Sequence, residues 1–140
     1  MSASASLVCI HPKDVPAIWP LVAERLRAAY LRTDLSHTAD LERDVLQGDA
    51  VLWVAASASA PVAELEAALV AKLVRTDLHL VCIITACGGS NMSRWLDHLG
   101  AIEQWAKAEG AAKIRLFGRK GWLRILKNYQ ASNVVLERAL

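Results

Sequence analysis

Residues 78–110 read LHLVCIITACGGSNMSRWLDHLGAIEQWAKAEG, and the rest of the chain is organised around this stretch. Its first nine residues form an apolar run rich in β-branched side chains, which predicts a buried strand. After the pair Gly88-Gly89 the apolar period changes to every third or fourth residue, which predicts an amphipathic helix that ends at Gly110. The apolar stripe of this helix consists of Met92, Trp95, Leu96, Leu99, Ile102, Trp105 and Ala106.

A glycine turn is predicted between this strand and this helix, over residues 87–91. Ser90 or Asn91 would cap the helix. Such a turn can bind an anion, because the first N–H groups of a helix are unpaired, the helix dipole is positive there, and glycine admits a close ligand. Two glycines also occur in such turns for geometry alone, so a phosphate site and a purely structural turn both remain open.

The composition indicates one compact domain, which we place at residues 7–140 after a flexible lead-in at residues 1–6. The chain has 140 residues, of which 54% are hydrophobic and 21% charged. A net charge of +2 gives no argument for a nucleic-acid partner. No apolar run reaches the roughly twenty residues of a membrane span, and the first residues do not form a signal peptide. We therefore expect an intracellular protein without a membrane partner.

The segments around the central stretch predict an α+β fold with a mixed, mostly antiparallel sheet. The predicted order is β-α-α-β-β-β-α-β-α-β. The third and fourth strands should pair as an antiparallel hairpin through a turn at Thr76-Asp77. Pro20 should bend the first helix or delay its start, and Gly48 should end the second. Besides the central stretch, we predict strands at 7–10, 50–56, 69–76, 113–117 and 133–138, and helices at 15–30, 39–47 and 122–129.

Few residues have the spacing of a catalytic or metal site. Cys9 and Cys82 lie in apolar runs and are predicted to be reduced core residues. Cys87 beside the glycines is a candidate nucleophile, although no histidine follows it closely. Asp97-His98 has no third ligand at helical spacing, so we expect no metal. Candidate general bases are Glu24, Asp34, His37 and Glu42.

A basic cluster follows the fifth predicted strand. It could contact a phosphate or an acidic partner, or it could be a solvated surface. Its members are Arg115, Arg119, Lys120, Arg124 and Lys127.

The order of elements, with a glycine turn after the fourth strand, resembles the GNAT superfamily of acyl-CoA-dependent N-acetyltransferases. The motif Cys87-Gly88-Gly89 before Trp95-Leu96, the run EQWA at 103–106 and the run GRKGWLRILKNY at 118–129 are similar to small GNAT-like proteins of tailed bacteriophages. This resemblance implies that the fourth and fifth strands part and that acetyl-CoA binds between them.

The resemblance also implies which residues would contact this cofactor. Backbone groups of Ile84, Thr85 and Ala86 would meet the pantetheine arm. The phosphates would lie against Gly88, Gly89, Ser90, Asn91 and Met92. Leu126 stands where many members carry a tyrosine as general acid, and Tyr129, three residues on, is the remaining candidate for that role.

Two functions follow from the resemblance, and the residues suggest a third. The first is acetyl-CoA-dependent N-acetylation of a small or protein amine. The second is a catalytically inactive GNAT-fold component of a tailed phage or phage-like particle, which would bind a protein partner or self-associate in the virion or in the host bacterial cytoplasm. The third and weakest is a nucleic-acid accessory protein that uses the basic cluster.

Overall fold

A five-stranded sheet with helices on both faces forms the structure. The computed structural model describes residues 5–30, 40–57, 65, 67–89, 99–117 and 120–140. Its elements are β1 (Ala5–Cys9), α1 (Val15–Tyr30), α2 (Leu41–Gln47), β2 (Val51–Ser57), β3 (Ala67–Arg75), β4 (Leu80–Gly89), α3 (Gly100–Ala108), β5 (Lys113–Leu116) and a 3-10 helix (Lys120–Arg124).

The strands are arranged in the order β1-β2-β3-β4-β5. The first three junctions are antiparallel, and β4 pairs with β5 in parallel. In the β3–β4 turn, the Thr76 hydroxyl accepts from the backbone N–H of Leu78 at 3.2 Å and of His79 at 3.0 Å. The predicted α+β class, the mostly antiparallel sheet and the hairpin turn at Thr76-Asp77 are therefore confirmed.

Each face of the sheet has its own apolar core, because side chains alternate between the two faces of a strand. The α1-side core contains Leu52, Val54, Ala68 and Val70 of the strands together with buried residues of α1 and α2. The α3-side core contains Trp53, Leu69, Ala71, Cys82 and Ile84 together with α3 and Leu126. Trp53 and Trp105 meet in the α3-side core edge to face, with ring centres 5.9 Å apart.

The first two helices agree closely with the sequence pattern. In α1 the predicted stripe is buried at Val15, Trp19, Val22 and Leu26. Pro20 lies inside α1, which nevertheless begins at Val15, so the predicted late start is wrong. In α2 the Asp40 carboxylate accepts from the Arg43 N–H at 3.0 Å, and Gly48 ends the helix with φ of +83°. The predicted glycine stop is confirmed. No helix among the described residues is long and apolar enough to cross a membrane.

Only the second part of the predicted central helix falls among the described residues. Residues 90–98, which include the predicted caps Ser90 and Asn91, lie outside the described residues. From Gly100 the helix runs to Ala108 and buries Ile102 and Ala106, as the stripe predicted. Gly110 follows with φ of +95°, a left-handed conformation that favours glycine. The predicted end of the helix is thus confirmed.

The glycine turn predicted at residues 87–91 is wrong in its described part, because β4 continues through Cys87 and Gly88 to Gly89. Cys87 and Gly88 pair with Leu69 and Ala68 of β3. The preceding strand begins at Ala67, two residues before the predicted start, and so supplies these partners. A partner strand that reaches this far satisfies backbone groups that a turn would leave unpaired.

Three further predictions are wrong. The predicted strand at 133–138 is absent, and residues 131–140 are exposed and irregular. The predicted helix at 122–129 is replaced by the 3-10 helix and following turns, with Leu126 buried. Cys9 is exposed rather than in the core, because it ends β1, an edge strand of the sheet.

Candidate functional site

The candidate site lies where β4 and β5 part. The parallel pairing joins Val81–Ile84 to Lys113–Leu116 and stops there. Beyond Ile84, β4 continues for five more residues beside β3. Among the described residues, no strand pairs with the other side of this extension. β5 ends at Leu116, so this edge of β4 lies beyond the end of β5, and we call the edge at residues 85–89 the β4–β5 gap.

A β-bulge at Thr85 marks the start of the gap. Ala71 of β3 is opposite Ile84 and Val70 is opposite Ala86, so Thr85 has no partner residue in the register. The Thr85 hydroxyl donates to the carbonyl of Val70 at 3.4 Å. A bulge adds one residue to one strand and bends it, so the second part of β4 takes a different direction from the first.

The bulge also reverses the alternation of side chains. Ile84 packs into the α3-side core and Ala86 into the α1-side core, although residues two apart in a regular strand share one face. Cys87 then packs against the α3-side core. The apolar run shows no sign of this reversal, because residues 81–86 are buried on both faces alike.

The structure brings three of the predicted cofactor residues to the β4–β5 gap. Ile84 is the last residue paired with β5. Thr85 and Ala86 follow it in the part of β4 that runs beside β3 and does not pair with β5. Gly88 and Gly89 form the end of β4. Ser90, Asn91 and Met92 lie outside the described residues. The contacts that the resemblance implies for these eight residues stay predictions.

Gly88 has a packing role that the sequence did not reveal. A Cβ atom at this position would lie 2.7 Å from the carbonyl oxygen of Arg25 and 3.4 Å from the Cβ of Ala29, both on α1. Any side chain here would push α1 away from the sheet. Close packing of helix on strand therefore accounts for glycine at position 88 without a ligand.

The thiol of Cys87 is unsuited to nucleophilic attack. Burial raises the pKa of Cys87 to about 12, so the side chain stays a neutral thiol at physiological pH. The nucleophile and metal ligand in cysteine chemistry is the thiolate. This environment argues against the nucleophile alternative for Cys87. The pKa of Cys82 is likewise raised by burial, to about 11, in agreement with its predicted place in the core.

Tyr129, the candidate general acid, makes a specific contact with α3. Its hydroxyl donates to Oε2 of Glu103 at 2.7 Å. Burial, and then this hydrogen bond and the charge of Glu103, raise the pKa of Tyr129, so the phenol stays protonated. The contact anchors the segment after the 3-10 helix to α3. The two residues are 26 positions apart, and no local pattern in the sequence relates them.

The candidate bases differ in their surroundings. Glu42 forms an ion pair with Arg27 that joins α2 to α1. Glu24 is exposed on α1. Asp34 and His37 lie outside the described residues. Neither Glu42 nor Glu24 makes a contact with β4 that would place it at the β4–β5 gap, so no base is assigned.

Of the basic cluster, Arg115, Arg124 and Lys127 are exposed, as a solvated or a binding surface requires. Arg119 lies outside the described residues, and so does the side chain of Lys120. The described members are not brought together by any shared partner that could define a phosphate site.

A buried ion pair that the sequence did not reveal joins α2 to the sheet. Asp44 is only 4% exposed, and its Oδ2 lies 3.3 Å from Nζ of Lys72 on β3. The carbonyl of Asp44 also accepts from the N–H groups of Asp49 and Ala50 after the helix. A charge at this depth is stable only when it is paired, so this pair fixes the position of α2.

Comparisons with known proteins find the same fold only among solved structures. No protein-family model and no curated protein sequence matches the chain. An aminoglycoside acetyltransferase from an uncultured soil metagenomic sample, solved with sisomicin, superimposes with a TM-score of 0.64 at 12% identity, over 97% of this chain and 96% of its own. A probable acetyltransferase gives a TM-score of 0.67 at 14% identity, over 96% and 95%.

A predicted acetyltransferase from Clostridium acetobutylicum, solved with acetyl-CoA, gives a TM-score of 0.60 at 15% identity, over 96% of both chains. Similarity at these identities establishes the fold. The chain therefore has the fold of the GNAT-type acetyltransferases, as its resemblance to them predicted.

Proposed function

We propose that the protein is an N-acetyltransferase that transfers the acetyl group of acetyl-CoA to an amine of a small molecule or a protein. The observation that carries this proposal is the edge of β4 that, after the bulge at Thr85, pairs with β3 and with no other strand among the described residues. The similar structure solved with acetyl-CoA supports the choice of this cofactor.

The β4–β5 gap suits the chemistry of a pantetheine arm. This arm is extended and contains two amide groups. An unpaired strand edge offers N–H donors and C=O acceptors at the spacing of another strand, so an extended ligand with amides can pair with it. Backbone groups of Ile84, Thr85 and Ala86 are the proposed partners.

The transfer itself follows from this placement. The acceptor amine attacks the thioester carbonyl and forms a tetrahedral intermediate with a negative oxygen. A backbone N–H of the β4 extension can stabilise that oxyanion, because it is already oriented before the reaction. The C–S bond then breaks, the amide is released, and the CoA thiolate takes up the proton that the amine loses.

Isothermal titration with acetyl-CoA tests the proposal. We expect saturable binding at micromolar strength, and at least tenfold weaker binding for Gly89→Trp, which places a bulky residue at the proposed phosphate end of β4. Gly100→Trp is the matched control, because an added Cβ there meets nothing closer than a Glu103 carboxylate oxygen at 4.0 Å. Absence of heat at millimolar acetyl-CoA would contradict the proposal.

A second candidate function is that of a catalytically inactive component of a tailed phage or phage-like particle. Two observations favour it: packing alone accounts for Gly88, and the Tyr129 hydroxyl already donates a hydrogen bond to Glu103. The phage part of this candidate is supported by the sequence resemblance at 87–129. It predicts no acetyl-CoA binding, together with co-purification of the protein with particles from the host cytoplasm.

A further inference from the structure

Two exposed cations lie on one face of β5. Ile114 and Leu116 of this strand pack against the α3-side core. Because side chains alternate along a strand, Lys113 and Arg115 lie on the opposite face, and both are exposed. We call Lys113 and Arg115 the β5 basic pair. Among the described residues, neither member of this pair has an ion-pair partner.

The register across the sheet gives the place of Arg115. It lies opposite Ile83 of β4, which in turn lies opposite Lys72 of β3. Opposite residues of neighbouring strands share a face, so Arg115 and Lys72 are on the same side of the sheet. Lys72 is already matched by Asp44 of α2, with Nζ and Oδ2 3.3 Å apart. The charge of Arg115 has no such match within the described part of the chain, so it is available to a ligand.

Arg115 is the member of the β5 basic pair nearer to the β4–β5 gap. Thr85, at the start of the gap, is two residues beyond Ile83 on β4. Strands lie about 4.8 Å apart and rise about 3.3 Å per residue, so the Cα atoms of Arg115 and Thr85 are separated by roughly 8 Å. Lys113 lies opposite Val81, two residues farther from the gap. A group bound by Arg115 would therefore lie beside the start of the gap.

The chemistry of the β5 basic pair favours an anionic ligand. Its members are about 7 Å apart along the strand, and like charges at this distance repel each other. An anionic group beside the pair would offset this repulsion. A guanidinium can also bind a carboxylate or a phosphate through two parallel hydrogen bonds. A neutral or cationic ligand would gain neither contribution.

We propose that Arg115, assisted by Lys113, binds an anionic group of the amine acceptor. The acceptor is then an amine that also carries a carboxylate or a phosphate. This inference rests on the proposed acetyltransferase function and narrows its acceptor class. The anionic group lies beside Arg115 while the amine reaches the thioester at the β4–β5 gap. Attachment at a second point orients the amine for attack.

Nuclear magnetic resonance titration tests the anion site without turnover. The probes are 4-aminobutyrate, 3-aminopropylphosphonate and butylamine, which share a three-carbon arm and differ in the group at its end. We expect at least one anionic amine to shift the amide signals of β5 and butylamine to leave them in place. The anionic probe that binds more tightly identifies a carboxylate or a phosphate as the preferred group.

Arg115→Gln should weaken binding of the anionic amine at least tenfold. The matched control is Lys107→Gln, which removes one exposed positive charge from α3, on the other side of the sheet. Its affinity should equal that of the wild type. Equal affinities for wild type and Arg115→Gln, or no binding of either anionic amine, would overturn the inference. The β5 basic pair would then only protect an edge strand from pairing.

Steady-state acetylation distinguishes recognition of the anion from a general loss of activity. For the wild type, kcat/KM should be at least tenfold higher for the preferred anionic amine than for butylamine. Arg115→Gln should lower this ratio at least tenfold, mainly through KM, and Arg115→Lys should restore part of it. Lys107→Gln should keep the wild-type ratio. A wild type that acetylates butylamine as well as the anionic amines, or none of the three, would overturn the inference.

The titration with acetyl-CoA separates this inference from the proposed function. A protein that binds acetyl-CoA without preference for an anionic amine would overturn the acceptor class alone. A protein that binds the anionic amines through Arg115 but does not bind acetyl-CoA would overturn the proposed function, and with it the acceptor role of the anion site.

Discussion

The two parts of β4 differ in sequence and in surroundings. From Leu80 to Ile84 the strand lies between β3 and β5 and is bonded on both sides. From Thr85 to Gly89 the side chains are small, and among the described strands this part is bonded only to β3 and is approached closely by α1 at Gly88. The first part holds the sheet together, and the second borders the β4–β5 gap.

The difference between the two parts of β4 coincides with a change of one residue in the register with β3. One residue without a partner, Thr85, changes the direction of the strand and exchanges its faces. The cores on both sides remain apolar, because small and branched side chains fill either face equally well. The proposed site for an extended ligand would need only the edge of β4 that does not pair with β5.

The largest expected effect is that of Gly88→Ala in the second part of the strand. The new methyl group would lie 2.7 Å from the Arg25 carbonyl oxygen, so backbone must move, and we expect a loss of about 1–3 kcal/mol in the free energy of unfolding. Urea denaturation measures it as a lower midpoint at constant slope.

The control for this variant is Gly100→Ala, where the added methyl group has room. Alanine is the better helix former, so the free energy of unfolding should stay the same or rise by up to about 1 kcal/mol. Equal effects at the two glycines would show that α1 does not depend on the absence of a side chain at position 88.

The next effect is that of removing the bulge by deletion of Thr85. Ile84 and Ala86 would then be adjacent, each still opposite its present partner and on its present face. We therefore expect a folded protein whose acetyl-CoA affinity falls at least tenfold, because β4 no longer bends away from β5. Titration calorimetry, with circular dichroism as the check on folding, measures this. An unchanged acetyl-CoA affinity would show that binding of the ligand does not depend on the bulge.

The smallest expected effect is that of Tyr129→Phe. Tyr129 packs against the α3-side core, which contains Cys82 of the first part of β4. Loss of its hydrogen bond to Glu103 should lower the free energy of unfolding by about 1 kcal/mol, with acetyl-CoA affinity unchanged. If turnover fell more than tenfold in a protein of otherwise wild-type affinity, Tyr129 would be a general acid rather than an anchor.

The pH dependence of this variant has a definite sign. The folded-state pKa of Tyr129 is raised above its ordinary value of 10.0, so its contribution to stability is present below pH 10 and is lost as the pH rises above it. The difference in unfolding free energy between wild type and Tyr129→Phe should therefore be constant at neutral pH and narrow above pH 10. A difference that widens there would contradict the assignment.

Helix periodicity and capping predicted much of this protein. The α1 stripe at Val15, Trp19, Val22 and Leu26, the glycine stops at Gly48 and Gly110, and the Thr76 hairpin all follow from local rules. The resemblance to a known family, and not the spacing of residues, singled out Ile84, Thr85 and Ala86 as cofactor contacts, and these contacts stay a prediction.

Two of the wrong predictions, at Gly88 and at residues 133–138, have the same cause. Gly88 was assigned to a turn because glycine is typical of turns, whereas its reason is the backbone of Arg25 on a helix some sixty residues earlier in the chain. Residues 133–138 were assigned to a strand because their pattern suits one, whereas a strand also needs a partner. Both depend on contacts that are distant in sequence.

The sequence by itself determined the order of elements from β1 to β5 and the buried stripes of the helices, because these depend on side-chain period and on glycine and proline within a few residues. Only the tertiary structure decided where β4 leaves β5, which face each residue takes after Thr85, and that Lys72 pairs with Asp44 and Tyr129 with Glu103. Hydrogen-bond registers and buried polar pairs join residues far apart in the chain, so their geometry exists only once the sheet has formed.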